Sequence, residues 1–507
     1  KNVWSLRGMV TAMHLRPNLG GGDEYEQMLA EAEASADVPV TAACACSKEA
    51  WTPACEEEAY FANMGPYGRT DASAVAAAQT WFNRGLAWHY NFGHDEALRC
   101  FKKAVTLDNG CSLAHAFIAY ALGPNYNDTD VDDEAWDAAT AAAEEAARHA
   151  STPLEAGFAA AVQRRCAARS HEDRGFSLSL GELSAAFPDD ADVACALADS
   201  LMMLAPWQLW EERSVGVARE ARGVLETALG AAPKHPGLLH LYVHLMELSP
   251  EVSAAAPHLT NLEEAVPDGG HLIHMPSHIY ALLGQWQRAI EVNERACVAD
   301  AAYVRANGVD DFYGFYRLHN RHMAVYAAMM CGRVHDAVEH AAAMVRPGCA
   351  QSRCGLTLGQ KIYHLVEPFL AVPWHVMVRF GLWDEIMATN VYPEVALAPE
   401  DPEPKDVFRN CAAIAYYARG VASAARRDTT GARAEQVTFR AAAARVPPEQ
   451  CLFNVSCRDM LSIAEAVLEG EAAFAEGSFD VAFESLRVAV QRCDDLPYDE
   501  PWGWMHP

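Results

Sequence analysis

The chain has 507 residues, more than one compact core accommodates, and its 51% hydrophobic content supports a packed interior and excludes wholesale disorder. Asp and Glu number 68 against 39 Lys and Arg, a formal charge of −29 that repels phosphate backbones and anionic lipid, so no nucleic-acid partner is expected. No apolar run reaches the roughly 18 residues a membrane helix needs, which argues against membrane insertion.

Residues 1–75 show no clean period and hold Gly20-Gly21-Gly22, Gly65-Pro66 and the first cysteines; they read as an irregular N-terminal segment. From residue 76 the chain repeats. Trp81, Gly85, Trp88, Ala97, Phe101 and Ala104 fit a helix–turn–helix unit of about 34 residues in which small residues let two helices approach and bulky ones fill the gap. The frame returns at Ser277, Tyr280, Gly284, Ala289 and Ala296, at Gly332, Ala337 and Met344, and at Gly470, Gly477, Ala482, Leu486 and Ala489. Here the chain resembles the tetratricopeptide repeat family. The expected fold is all-α, a right-handed α-solenoid of tetratricopeptide-type repeats, roughly nine or ten of them. It divides into N-terminal repeats at 76–235, histidine-rich repeats at 236–345 and C-terminal repeats at 346–507, with Pro-, Asn- and Asp-rich loops at 123–134 and 399–406. Lys1 and Pro507 read as processed or truncated ends.

Among the 15 cysteines, Cys44, Cys46 and Cys55, the pair Cys349/Cys354 and the pair Cys451/Cys457 have the close, non-helical spacing of disulfides. Cys100, Cys166, Cys195, Cys297, Cys331 and Cys411 fall within helical patterns as free thiols. With the sequons Asn127-Asp128-Thr129 and Asn454-Val455-Ser456, these spacings favour an extracytoplasmic or secreted location over an intracellular one.

More specifically, the chain resembles a histidine-rich tetratricopeptide subfamily common in bacteria, with no settled activity. The resemblance rests on Asn91-Phe92-Gly93-His94-Asp95-Glu96-Ala97, on Ala121-Leu122-Gly123-Pro124-Asn125, on 271–280 (HLIHMPSHIY) and on Leu496-Pro497-Tyr498-Asp499-Glu500-Pro501. It implies that positions 2, 5, 9 and 12 of each first helix face a concave groove. Those positions hold His240, His244 and Glu247, then His271, His274 and His278, then His319, His322 and Tyr326. Helical geometry agrees, because His271, His274 and His278 fall within about 60° on one face, and the other pairs have i,i+4 and i,i+3 spacing. His375 extends the series in a later repeat.

Seven imidazoles with one carboxylate and no thiolate suit copper or zinc, with iron third, and exceed the needs of one ion, so either two ions bind or some of the histidines stand behind the ligands. Copper leads to a metal-dependent oxidoreductase acting on a small molecule or dioxygen, with Tyr326 as proton or radical donor. Zinc leads to a hydrolase with Glu247 as general base. A metal carrier and a non-catalytic scaffold holding a peptide or partner subunit are the alternatives. Residues 310–316 (DDFYGFY) have the composition of a lid or a packed spacer, and His94-Asp95-Glu96 that of a cap and turn.

Overall fold

The computed structural model describes residues 60–61, 63–307, 313–345, 366–392, 403–501 and 504. The chain divides into a unit of residues 1–63 and one of residues 64–507. The expected irregular segment is described only over its last residues, where Arg69 and Tyr67 both bind Asp192. The rest of that segment, with Cys44, Cys46 and Cys55, lies outside the described residues, as do Cys349 and Cys354.

The second unit is all-α, an α-solenoid of tetratricopeptide type. α1 (Ala76–Tyr90) packs on α2 (His94–Leu107) where Gly85 meets Phe101; a Cβ at Gly85 would lie 2.4 Å from the Phe101 ring. The same device closes the last pair, α21 (Cys457–Glu476) and α22 (Phe479–Asp494), where a Cβ at Gly470 would lie 2.7 Å from Leu486. Between them run the pairs α3 (Ser112–Ala121) and α4 (Asp133–His149), α5 (Pro153–Ala168) and α6 (Arg174–Ala186), and α7 (Ala191–Met202) and α8 (Val215–Ala231). Asp132, Thr152 and Asp190 cap α4, α5 and α7 by accepting from free N-terminal N–H groups, and Glu155 completes a capping box at Thr152.

The central repeats are α9 (Pro236–Glu247) with α10 (Leu259–Ala265), then α11 (Gly270–His274) and α12 (Pro276–Leu282) with α13 (Trp286–Asn307), then α14 (Tyr313–Met330) with α15 (Val334–Val345). α13 runs on to Asn307 through the helix-forming Ala301 and Ala302, and α14 is helical from Tyr313. The later elements are α16 (Val372–Arg379), α17 (Trp383–Ala388), α18 (Pro404–Val407), α19 (Arg409–Ala425) and α20 (Thr429–Ala443).

α20 and α21 are linked by a short hairpin, β1 (Cys451–Leu452) and β2 (Val455–Ser456). It rules out the Cys451–Cys457 disulfide. Cys451 is paired with Ser456, so Cys457 is one position out of register; it opens α21 fully buried, while Cys451 is half-exposed, and both thiols are free. Among the described residues no helix is long and apolar enough to cross a membrane.

Candidate metal centre

First helices of successive repeats lie side by side, α9 against α12 and α11 against α14, and α1 returns to touch α9. The His235 ring caps α9, its Nδ1 accepting from Leu238 N at 3.1 Å, while Pro236 opens the helix with no N–H to satisfy. This start puts His240 and His244 on one inward face.

Four of the six imidazoles, those of His240, His244, His274 and His278, are oriented through Nδ1, whereas Nδ1 of His271 and of His319 is buried without a hydrogen-bond partner. His240 Nδ1 donates to the Tyr90 carbonyl at 2.6 Å, leaving a lone pair on Nε2. His244 Nδ1 donates to Glu247 Oε1 at 2.8 Å, and its buried Nε2 has no protein partner. His271 Nε2 lies 3.1 Å from His240 Nε2, and the ligand atoms of His240, His244 and His271 are all within 4.8 Å of one another.

His274, His278 and His319 form a second trio by the same measure. Asn293 Nδ2 donates to Ala289 O at 2.7 Å, so its Oδ1 faces His274 and accepts from His274 Nδ1 at 2.7 Å. Glu247 Oε2 sits 2.5 Å from His278 Nδ1, off the line of an ideal hydrogen bond, and fixes the proton there. Both rings therefore turn lone pairs inward. His274 Nε2 and His278 Nε2 face each other at 2.8 Å, with His319 Nε2 at 3.3 Å from His278 Nε2. Two lone pairs at this distance repel unless a cation lies between them. Nitrogens on one tetrahedral ion at a bond length of about 2.0–2.1 Å stand about 3.3 Å apart. Each trio is thus close to the spacing that a shared ion imposes.

Glu247 binds the Nδ1 of one imidazole in each trio and links the two. Burial opposes its charge, but His278 and His244 hold its carboxyl down at about 2. Burial, followed by the neighbouring imidazoles, drives His240, His271, His274 and His319 well below the ordinary histidine range, leaving them neutral as ligation requires.

Aromatic rings wall the site. Phe92 stacks on His244 and His271, each at 5.7 Å; Tyr316 covers His271 at 4.3 Å; Trp207 meets His244 at 5.9 Å; Phe453 meets His319 at 4.8 Å. Phe92, Trp207 and Phe453 have positive φ (53°, 60° and 48°), a conformation that side chains seldom adopt and that concentrates at functional sites. A cavity of about 680 Å³ opens onto both trios.

Six of the seven expected ligand histidines are brought together. His322 is not among them: it packs on Phe369 at 5.3 Å and shares its surroundings with His375, whose ring lies on Trp504. Tyr326 packs edge-on to Trp286 at 6.0 Å, about two helical turns past His319, and is not at the trios. Glu247, held between two imidazoles, positions them and is not free to act as a base. The expected cap at His94 is not formed; Gly93 is the N-cap residue, and His94 stacks on Phe92. Of the lid sequence, Tyr313, Phe315 and Tyr316 pack on the site, and 310–312 lie outside the described residues. Asn127 and Asn454, the sequon residues, both line the cavity, where a glycan would fill the space above the histidines.

Sequence reading missed Tyr90, Asn293 and Phe453. It named Phe92 and Asp499 only within resemblance motifs and Tyr316 only within the lid segment; Phe92 stacks on two of the histidines, and Tyr316 and Asp499 line the cavity above the trios.

No family model matches the chain, and no curated protein matches it. Among solved structures it is similar to the human IFIT1 dimer with m7Gppp-AAAA, at 14% identity, covering 97% of this chain and 91% of that one, with a TM-score of 0.33. A monomeric IFIT1 mutant with Gppp-AAAA gives 14%, 97%, 90% and 0.34, and the human IFIT1 dimer with PPP-AAAA gives 13%, 97%, 91% and 0.32. These neighbours are binding complexes, and the copper oxidoreductase expected from the sequence is withdrawn. Tyr326, the donor expected for the copper reading, lies elsewhere, and Glu247, the base expected for the zinc hydrolase, is engaged twice.

Proposed function

We propose that this chain is a non-catalytic metal-binding solenoid in which His240, His244 and His271 hold one transition-metal ion and His274, His278 and His319 hold a second. The observation that carries the reading is the pair of inward lone pairs on His274 and His278 at 2.8 Å, forced by Asn293 and Glu247. Such a meeting is costly in a buried site without a cation. An all-imidazole set suits copper or zinc, with iron third. Three protein ligands leave each ion a further position toward the cavity, so metal and cavity together form a binding groove. The same pattern supports membership of the histidine-rich tetratricopeptide subfamily that the sequence resembles.

The acidic cavity lining opposes phosphate-bearing ligands such as the m7Gppp-AAAA of the IFIT1 complexes. Elemental analysis tests the metal reading. The protein, loaded with zinc or copper and desalted, retains two equivalents; His274→Ala with His278→Ala retains one, and so does His240→Ala with His244→Ala. Retention of no metal, or equal retention by both variants and the parent, refutes it.

A further inference from the structure

We infer that the cavity above the trios binds a small organic ammonium ion. This goes beyond metal binding, because the acids and aromatic rings it rests on are separate from the ligand histidines that also line the space. At about 680 Å³ the space is far larger than an ion or a water needs and falls in the range of small-molecule pockets. Its wall combines Trp207, Tyr316 and Phe453 with the carboxyl groups of Asp499 and Glu500, and among the described residues its lining contains no Lys or Arg.

Asp499 is the informative residue. It is 3% exposed and lines the cavity, and its buried Oδ2 has no hydrogen-bond partner among the described residues. Glu500, 4% exposed, accepts from Tyr498 Oη at 3.0 Å, and nothing cationic in the lining answers either carboxyl. Burial pushes both carboxyl groups well above the carboxylate range, as expected of acids awaiting a cation. An anion finds no cationic side chain among the acids and aromatic rings of this wall, and a neutral apolar molecule leaves the Asp499 oxygen unanswered. An ammonium group satisfies the carboxylates and the aromatic faces together. The segment Leu496-Pro497-Tyr498-Asp499-Glu500-Pro501 thereby gains a role: it carries the two acids across to histidines more than 175 positions earlier in the chain. Trp207 and Phe453 are held at left-handed φ beside the same space, so the aromatic walls are imposed by the backbone.

The test is calorimetric titration with choline, tetramethylammonium and putrescine, and with 3,3-dimethylbutan-1-ol as the neutral isostere of choline. Each is titrated into metal-free and zinc-loaded protein of measured metal content. At least one ammonium compound is expected to bind, choline at least about tenfold tighter than its isostere if it is the one. Asp499→Asn with Glu500→Gln is expected to lower that affinity about tenfold or more while metal content stays the same. Trp207→Leu serves as the second variant, with the same expected loss, should the double variant not fold. Absence of binding by all three ammonium compounds, equal binding of the isostere, or unchanged affinity in the variants overturns the inference. Metal content, read on the same samples, shows separately whether the metal reading stands.

Discussion

Replacing Glu247 by Gln isolates the link between the two trios. The carboxylate faces the Nδ1 of His244 at 2.8 Å and that of His278 at 2.5 Å, and as an acceptor at both oxygens it keeps both protons on the Nδ1 side. An amide has one oxygen and one NH2 group. Its oxygen preserves one imidazole, but its NH2 must face an acceptor, so the other imidazole moves its proton to Nε2 and loses its ligand lone pair. A buried polar group left mismatched costs about 1–3 kcal/mol, or roughly 5- to 150-fold in affinity, in line with the roughly 10- to 100-fold effects of changing groups behind metal ligands. The expected product binds one ion as the parent does and the second about 10- to 100-fold more weakly. Zinc titration against a chelator of known affinity reads both constants. Two unchanged constants refute the bridging role of Glu247. Equal weakening of both refutes the tautomer argument.

Three further outcomes follow from the geometry. Asn293→Leu removes the acceptor behind His274 and is expected to weaken only the second trio, by about 10- to 100-fold, in the same zinc competition. Gly270→Ala brings a Cβ to 2.0 Å from Asp300 Oδ1 and 3.0 Å from Tyr313 Oη at the start of α11, and is expected to lower the urea midpoint by an amount equivalent to about 1–3 kcal/mol. Glu367, raised to about 8 by burial although Cys411 N donates to it at 2.7 Å, keeps its proton in the folded state while the unfolded chain releases it above about 4.5. Its contribution therefore falls by up to about 1.4 kcal/mol per pH unit as pH rises from about 4.5 to 8. Glu367→Gln is expected to remove that slope when urea midpoints are compared across this range, and an identical slope in both proteins contradicts the assignment.

The repeat frame and the helical pairing of the histidines were legible because both are local. Small residues such as Gly85 and Gly470 mark the close approach of paired helices, and i,i+4 spacing puts His240 with His244. The partition into two trios was not legible. His271, His274 and His278 share one face, yet His271 joins the helix before and the other two join the helix after. Pro276 has no N–H and interrupts the helix there, and His278 N donates to Met275 O at 3.2 Å instead of to the usual carbonyl one turn back. Spacing along α14 also could not tell that His319 reaches the second trio while His322, three residues on, turns to Phe369. The outer groups are distant in sequence: Tyr90 O lies 150 positions from His240, and no periodicity reports a contact of that range.

The central claim is most directly tested by anomalous diffraction from crystals grown with zinc or copper. Two peaks are predicted, one about 2.0–2.1 Å from the Nε2 atoms of His240, His244 and His271 and one equally placed among those of His274, His278 and His319. An ordered site that lacks both peaks, with the imidazoles hydrogen-bonded to one another or to water, contradicts the claim.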